Sequence, residues 1–139
     1  MSGKKYILYC DGACRGNPGP ASIGAVIYLE GVDEPVLEIS KTIGTATNNQ
    51  AEYRSLIEGL KGLQRYEGHH EVRMDSELVV RQILGQYKVK NEGLKPLFLE
   101  AREIFQGMKC TIKHVPREQN READRLANEA LDNSSHRTN

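Results

Sequence analysis

The chain has 139 residues, of which 38% are hydrophobic and 27% charged, so it is the size of one globular domain with enough apolar residues for a single core. Lys+Arg and Asp+Glu both number 19, so net charge is zero and whole-molecule attraction to a polyanion is excluded; affinity for nucleic acid has to come from local charge or metal ions. Cys10, Cys14 and Cys110 lack the paired spacing of a zinc site, and no apolar run approaches bilayer length, which points to a cytoplasmic protein with reduced thiols and no membrane partner.

The predicted elements are short and cleanly punctuated. Residues 6–10 are a nearly continuous apolar run, the pattern of a strand buried on both faces, and it stops at Asp11-Gly12. A Gly/Pro-rich loop at 16–20 leads to a second strand at 23–29. After a turn at 31–35, residues 36–43 alternate as a half-buried third strand. Thr47-Asn-Asn-Gln50 then fits a capping box, in which the Thr side chain and a Gln three residues later satisfy orphan amides reciprocally. The helix it opens is expected to reach residue 65. A fourth strand at 71–74 ends at Asp75, and Ser76 is placed to cap a helix at 77–84. Residues 85–93 form a polar connection carrying Lys88 and Lys90. A helix at 95–105, a fifth strand at 110–115, a loop at 116–119 and a last helix at 120–131 complete a domain of residues 1–131. The polar tail 132–139 is expected to be disordered.

Three strands followed by alternating helices and strands describe an α/β fold with a mixed sheet, in which the first and fourth strands are parallel neighbours. Asp11 and Asp75 then sit where those strands end, the side of an open α/β sheet on which ligand sites gather. Counting from Glu52 by threes and fours gives Leu56, Gly59, Leu60 and Leu63, so Glu52 points toward the sheet. Asp124 shares its helix face with Ala127 and Leu131. Each acid alone reads as a surface charge; the four together, on four elements, converge. Carboxylates turned toward a core are costly unless paired or bound to a cation. An acid cluster without His or Cys suits Mg²⁺ or Mn²⁺.

Asp11-Gly-Ala-Cys-Arg-Gly-Asn-Pro-Gly19, Thr47-Asn-Asn-Gln-Ala-Glu-Tyr53, Met74-Asp-Ser-Glu77 and Asn120-Arg-Glu-Ala-Asp-Arg-Leu-Ala127 resemble, in the right order and over essentially the whole chain, the motifs of the type 1 ribonuclease H family. That resemblance implies a ribonuclease H-like fold, a five-stranded mixed sheet with helices on both faces. It implies an enzyme that hydrolyses the RNA strand of RNA–DNA hybrids with two Mg²⁺ ions, Mn²⁺ being a substitute, and leaves 5′-phosphate and 3′-hydroxyl ends. Carried over motif by motif, Asp11, Glu52, Asp75 and Asp124 are the catalytic, metal-binding acids, and Gly12, Asn17, Thr47, Asn48 and Asn49 meet the substrate. An Asn amide both donates and accepts, so it can read a 2′-hydroxyl. Thr47 and the amides of the helix start can hold a phosphate. The chain is expected to act as a monomer without an obligate protein partner.

Three features depart from the family pattern and resemble a compact branch. The loop 116–119 lacks a histidine, and His114 falls on the fifth strand as a structural residue. The segment 85–95 is too short for an extra basic helix, and Glu77 stands where a Gln is common. Other readings fare worse. A non-catalytic hybrid binder on the same fold has little use for all four acids. An integrase or transposase would need further DNA-binding domains. A dinucleotide fold is opposed by the spacing of Gly12, Gly16 and Gly19 and by Pro18 and Pro20.

Overall fold

A strand that is apolar on both faces needs a cover on each, and the architecture supplies them. In the computed structural model, which describes residues 3–137, strand β1 (Lys5–Cys14) is central. It pairs antiparallel with β2 (Gly19–Leu29), which pairs antiparallel with β3 (Pro35–Ala46). On its other edge β1 pairs parallel with β4 (His69–Met74), and β4 with β5 (Cys110–His114). The sheet order is β3-β2-β1-β4-β5. The expected mixed five-stranded sheet is present.

Alternation along the strands sorts the two faces. Leu8 and Cys10, with their cross-strand partners Ile27 and Ala25, pack under helix α1 (Asn48–Leu63) against Leu56, Leu60 and Leu63. Burying each of these leucines is worth about 1.5–3 kcal/mol. Helices α2 (Glu77–Ile83) and α3 (Lys95–Gln106) extend this layer. Ser22 and Gly24 face the opposite side, where helix α4 (Arg121–Arg137) crosses β2 and the Ser22 hydroxyl donates to the carbonyl of Ala127. A Cβ at Gly24 would lie 2.5 Å from the amide nitrogen of Ala127 and would also strike the Ala123 carbonyl. Glycine there sets how closely α4, and with it Asp124, approaches the sheet.

Two boundaries differ from the sequence reading in ways that matter. β1 does not stop before Asp11 but continues to Cys14, because β2 still offers it a partner: Asp11 pairs with Gly24 and Cys14 with Ala21. What ends at Tyr9 is the parallel ladder with β4. Asp11 therefore lies where the sheet opens on one side only. The helix expected at 120–131 runs instead to Arg137, through most of the segment expected to be disordered. Residues 121–137 contain neither Gly nor Pro, so nothing local interrupts the ladder. Asp132 is also held, by Arg15 at 2.7 Å. Residues 138–139 lie outside the described residues.

Candidate active site

Asp11 lies in β1 two residues past its last pairing with β4, and Asp75 is the first residue after β4. Glu52 comes from the first turns of α1 and Asp124 from the first turn of α4. One carboxylate oxygen from each of Asp11, Glu52 and Asp75 lies within 4.8 Å of the other two. Asp124 is outside that triplet, and its carboxyl is the smallest of the influences that raise the proton affinity of Asp11. Asn128 holds it, donating to its backbone carbonyl at 2.9 Å and to Oδ1 at 3.2 Å.

The electrostatics follow from this crowding. Asp11 is 6% exposed, and burial, followed by the charges of Glu52 and Asp75, pushes its carboxyl well above the usual carboxylate range. Glu52 is raised as well, chiefly by burial; hydrogen bonds from Asp11 and from the Gly12 amide partly offset this. Without a cation each of the two holds its proton more tightly than a carboxyl in water does. The donor set is all oxygen, which fits a hard divalent ion such as Mg²⁺ or Mn²⁺.

Two neighbours frame the acids. The Gly12 amide donates to Glu52 Oε1 at 2.7 Å. A Cβ at Gly12 would lie 2.6 Å from the Glu52 nitrogen and would run into the backbone of Ala51, so this glycine lets α1 close onto β1. Asn120 was legible in the sequence as a helix start and as the first residue of the last motif, with no role of its own. It is 1% exposed, and its Nδ2 donates to the Cys10 carbonyl at 3.0 Å and to Asp75 Oδ1 at 3.1 Å.

The remaining residues expected to meet substrate lie together on an exposed rim. The Asn17 side chain accepts from the Asn48 amide at 3.0 Å, which joins the Gly/Pro-rich loop to the start of α1. Asn17, Asn48 and Asn49 are exposed. The capping box forms as expected: Thr47 Oγ1 accepts from Gln50 N at 3.2 Å, and Gln50 Oε1 accepts from Thr47 N at 2.9 Å. These bonds occupy the amides of Asn48 and Gln50. Nearby, the connection after α2 is less free than its composition suggests. Tyr53 donates to Gln82 at 2.6 Å and Gln82 to the Lys88 carbonyl at 3.3 Å, both side chains being buried. His114 is on β5 as expected, but its side chain is exposed rather than built into the structure.

Comparison with known proteins agrees with this geometry. A family model described as reverse transcriptase-like matches residues 9–130. Ribonuclease HI of Halobacterium salinarum is 44% identical over 134 residues, covering 95% of this chain and 67% of that protein. A bifunctional protein of Mycobacterium tuberculosis is 43% identical over 130 residues, and there the match takes in 92% of this chain but 36% of the relative, about a third of its length. The solved structure of LC11-RNase H1 in complex with an RNA/DNA hybrid superposes with a TM-score of 0.86 at 46% identity, covering 93% of this chain and 98% of that one. The motifs, the sheet order, the gathered acids and these likenesses agree: the chain belongs to the type 1 ribonuclease H family.

Proposed function

We propose that this chain is an endoribonuclease that hydrolyses the RNA strand of RNA–DNA hybrids, with Asp11, Glu52, Asp75 and Asp124 holding two Mg²⁺ ions. The observation that carries this reading is the packing of three carboxylates within 4.8 Å, against the end of the parallel ladder. A module that only bound hybrid would gain nothing from burying like charges there. Bound divalent ions supply activation of the attacking water and stabilisation of the leaving oxygen. The protein's own residues hold the acids and orient the strand. The Gly12 amide fixes Glu52, and Asn128 fixes Asp124. Asn17, Asn48 and Asn49 are the groups we assign to the backbone and 2′-hydroxyls of the RNA strand. Thr47 and the amides of the helix start we assign to a phosphate of the DNA strand. Gly12, whose amide donates to Glu52, we also assign to the residues that meet the substrate. LC11-RNase H1, solved on an RNA/DNA hybrid, supports the substrate class.

Hybrids labelled on either strand test the reading. With Mg²⁺ the RNA strand is cut to products bearing 5′-phosphate and 3′-hydroxyl ends, and the DNA strand stays intact. Cleavage of the DNA strand, or 5′-hydroxyl products, would overturn it.

The exposed position of His114 gives a second expectation. His114→Ala changes unfolding free energy by less than about 0.5 kcal/mol, as for an ordinary surface substitution, and leaves kcat within a factor of about two, since general acid–base help would be worth roughly 10²–10⁴-fold. Thermal unfolding and steady-state kinetics check both. A hundredfold loss of kcat in the folded variant would show that this side chain reaches the acids.

A further inference from the structure

Asn120 lies where three elements meet. Its Nδ2 donates at once to the Cys10 carbonyl, one residue before Asp11, and to the Asp75 carboxylate just after β4. Its own carbonyl accepts from the Asp124 amide at 3.2 Å in the first turn of α4. Three of the four acids are therefore tied to one residue. The orientation of its amide is determined, because a flip would turn Oδ1 toward two acceptors. In the observed orientation Oδ1 is buried with no hydrogen-bond partner among the described residues. A leucine would remove that orphaned acceptor, but it would also take the donor away from the Cys10 carbonyl and the Asp75 carboxylate. What only the amide provides is a pair of donors that sets the rotamer of Asp75 relative to the backbone that carries Asp11.

We infer that Asn120 is a positioning residue of the acid cluster: by orienting Asp75 it sets the affinity of the site for a divalent cation, without touching substrate or ion itself. This inference rests on reading the acids as a cation site. Partners that orient metal ligands from outside typically contribute about 10–100-fold to metal affinity or activity, and Asn120 is expected within that range.

The test is calorimetric titration of the full chain with Mg²⁺, run beside thermal unfolding and kinetics, on wild type, Asn120→Leu and Asn120→Ala. Leucine keeps the branched shape at greater bulk and removes both donors; alanine removes them without added bulk and provides a folded variant should leucine fit badly. Expected is a fall in Mg²⁺ affinity of at least about tenfold in a protein that still unfolds cooperatively. The kcat falls, the KM for hybrid is unchanged, and part of the kcat returns at raised Mg²⁺. In an Asp75→Ala background the Asn120 substitutions cause no further loss of Mg²⁺ affinity. Wild-type affinity in both folded variants would overturn the inference. So would an equal further loss in the Asp75→Ala background, which would mean that Asn120 acts on the fold rather than through Asp75. Absence of Mg²⁺ binding by the wild-type protein would instead refute the cation site itself, a separate and distinguishable result.

Discussion

Asp11→Asn yields a folded protein that no longer cleaves hybrid and that, in metal-free buffer near neutral pH, is more stable than the wild type. The two effects share one cause. Asp11 is the most buried of the four acids, and burial with the charges of Glu52 and Asp75 raises its proton affinity. The amide keeps the size of the carboxyl and is neutral in the folded and unfolded chain alike, so folding no longer has to return a proton to a carboxyl that the unfolded chain has ionised. The gain is on the order of 1 kcal/mol, a few degrees in Tm for a domain of this size. The loss of activity exceeds the roughly 10²–10³-fold that removal of one electrostatic stabiliser costs, because in the proposed mechanism a neutral ligand at this position would weaken the hold on the cations.

The pH dependence has a definite sign. Folded Asp11 and Glu52 retain protons that the unfolded chain has released, since both are raised chiefly by burial. The folded state therefore binds more protons above the ordinary carboxylate range, about pH 4. Stability contributed by these groups is present below that range and is lost as pH rises through their raised values. Wild-type protein in a chelator should unfold at a lower temperature at pH 8 than at pH 5, and Asp11→Asn should reduce that difference. Added Mg²⁺ should restore the wild type at pH 8 and have little effect on the variant. A wild-type Tm that rises from pH 5 to pH 8 in chelator would contradict the electrostatic account.

Gly12→Ala acts through geometry instead of charge. The added methyl has no room: it would meet the Ala51 backbone and come within 2.6 Å of the Glu52 nitrogen. Neither is the end of a flexible side chain, so α1 as a whole must shift away from β1. Overpacking of this kind costs about 1–3 kcal/mol. The shift also carries Glu52 away from Asp11 and Asp75 and lengthens its bond to the Gly12 amide. A displacement of about 1 Å in a catalytic array can cost roughly 10²-fold in rate. The variant should therefore show both a lowered Tm and a kcat reduced by about that factor. Retention of wild-type kcat together with wild-type Tm would mean that α1 and β1 are not in the contact described.

How far the sequence sufficed depended on whether each signal was local. The capping box at Thr47 and Gln50, the Ser76 cap and the apolar stripe behind Glu52 involve residues within a few turns of one another, and all three are present. The convergence of Asp11, Glu52 and Asp75 was legible because two end or nearly end neighbouring strands and the third rides on a helix face, while Asp124 stands outside that triplet. What escaped depended on partners distant in the chain. β1 continues past Asp11 because β2 pairs with it, and α4 continues past Leu131 with Asp132 held by Arg15. Asn120 has the same composition cue as an ordinary helix cap; its burial against Cys10 and Asp75 is set by residues 110 and 45 positions away. Gly24 looked like any strand residue, although it determines the seat of α4. His114 shows the converse: its place on β5 was readable, but not that its side chain lies in solvent.

The central claim is that the acids act together as a cation-dependent nuclease centre. It is tested most directly by cleavage of an RNA-labelled hybrid by wild type and by Asp75→Asn, each with Mg²⁺ and with a chelator, both proteins being first shown to be folded. The account predicts RNA cleavage by wild type with Mg²⁺ and none in the other three conditions. Cleavage that persists in the chelator, or in folded Asp75→Asn with Mg²⁺, would contradict it.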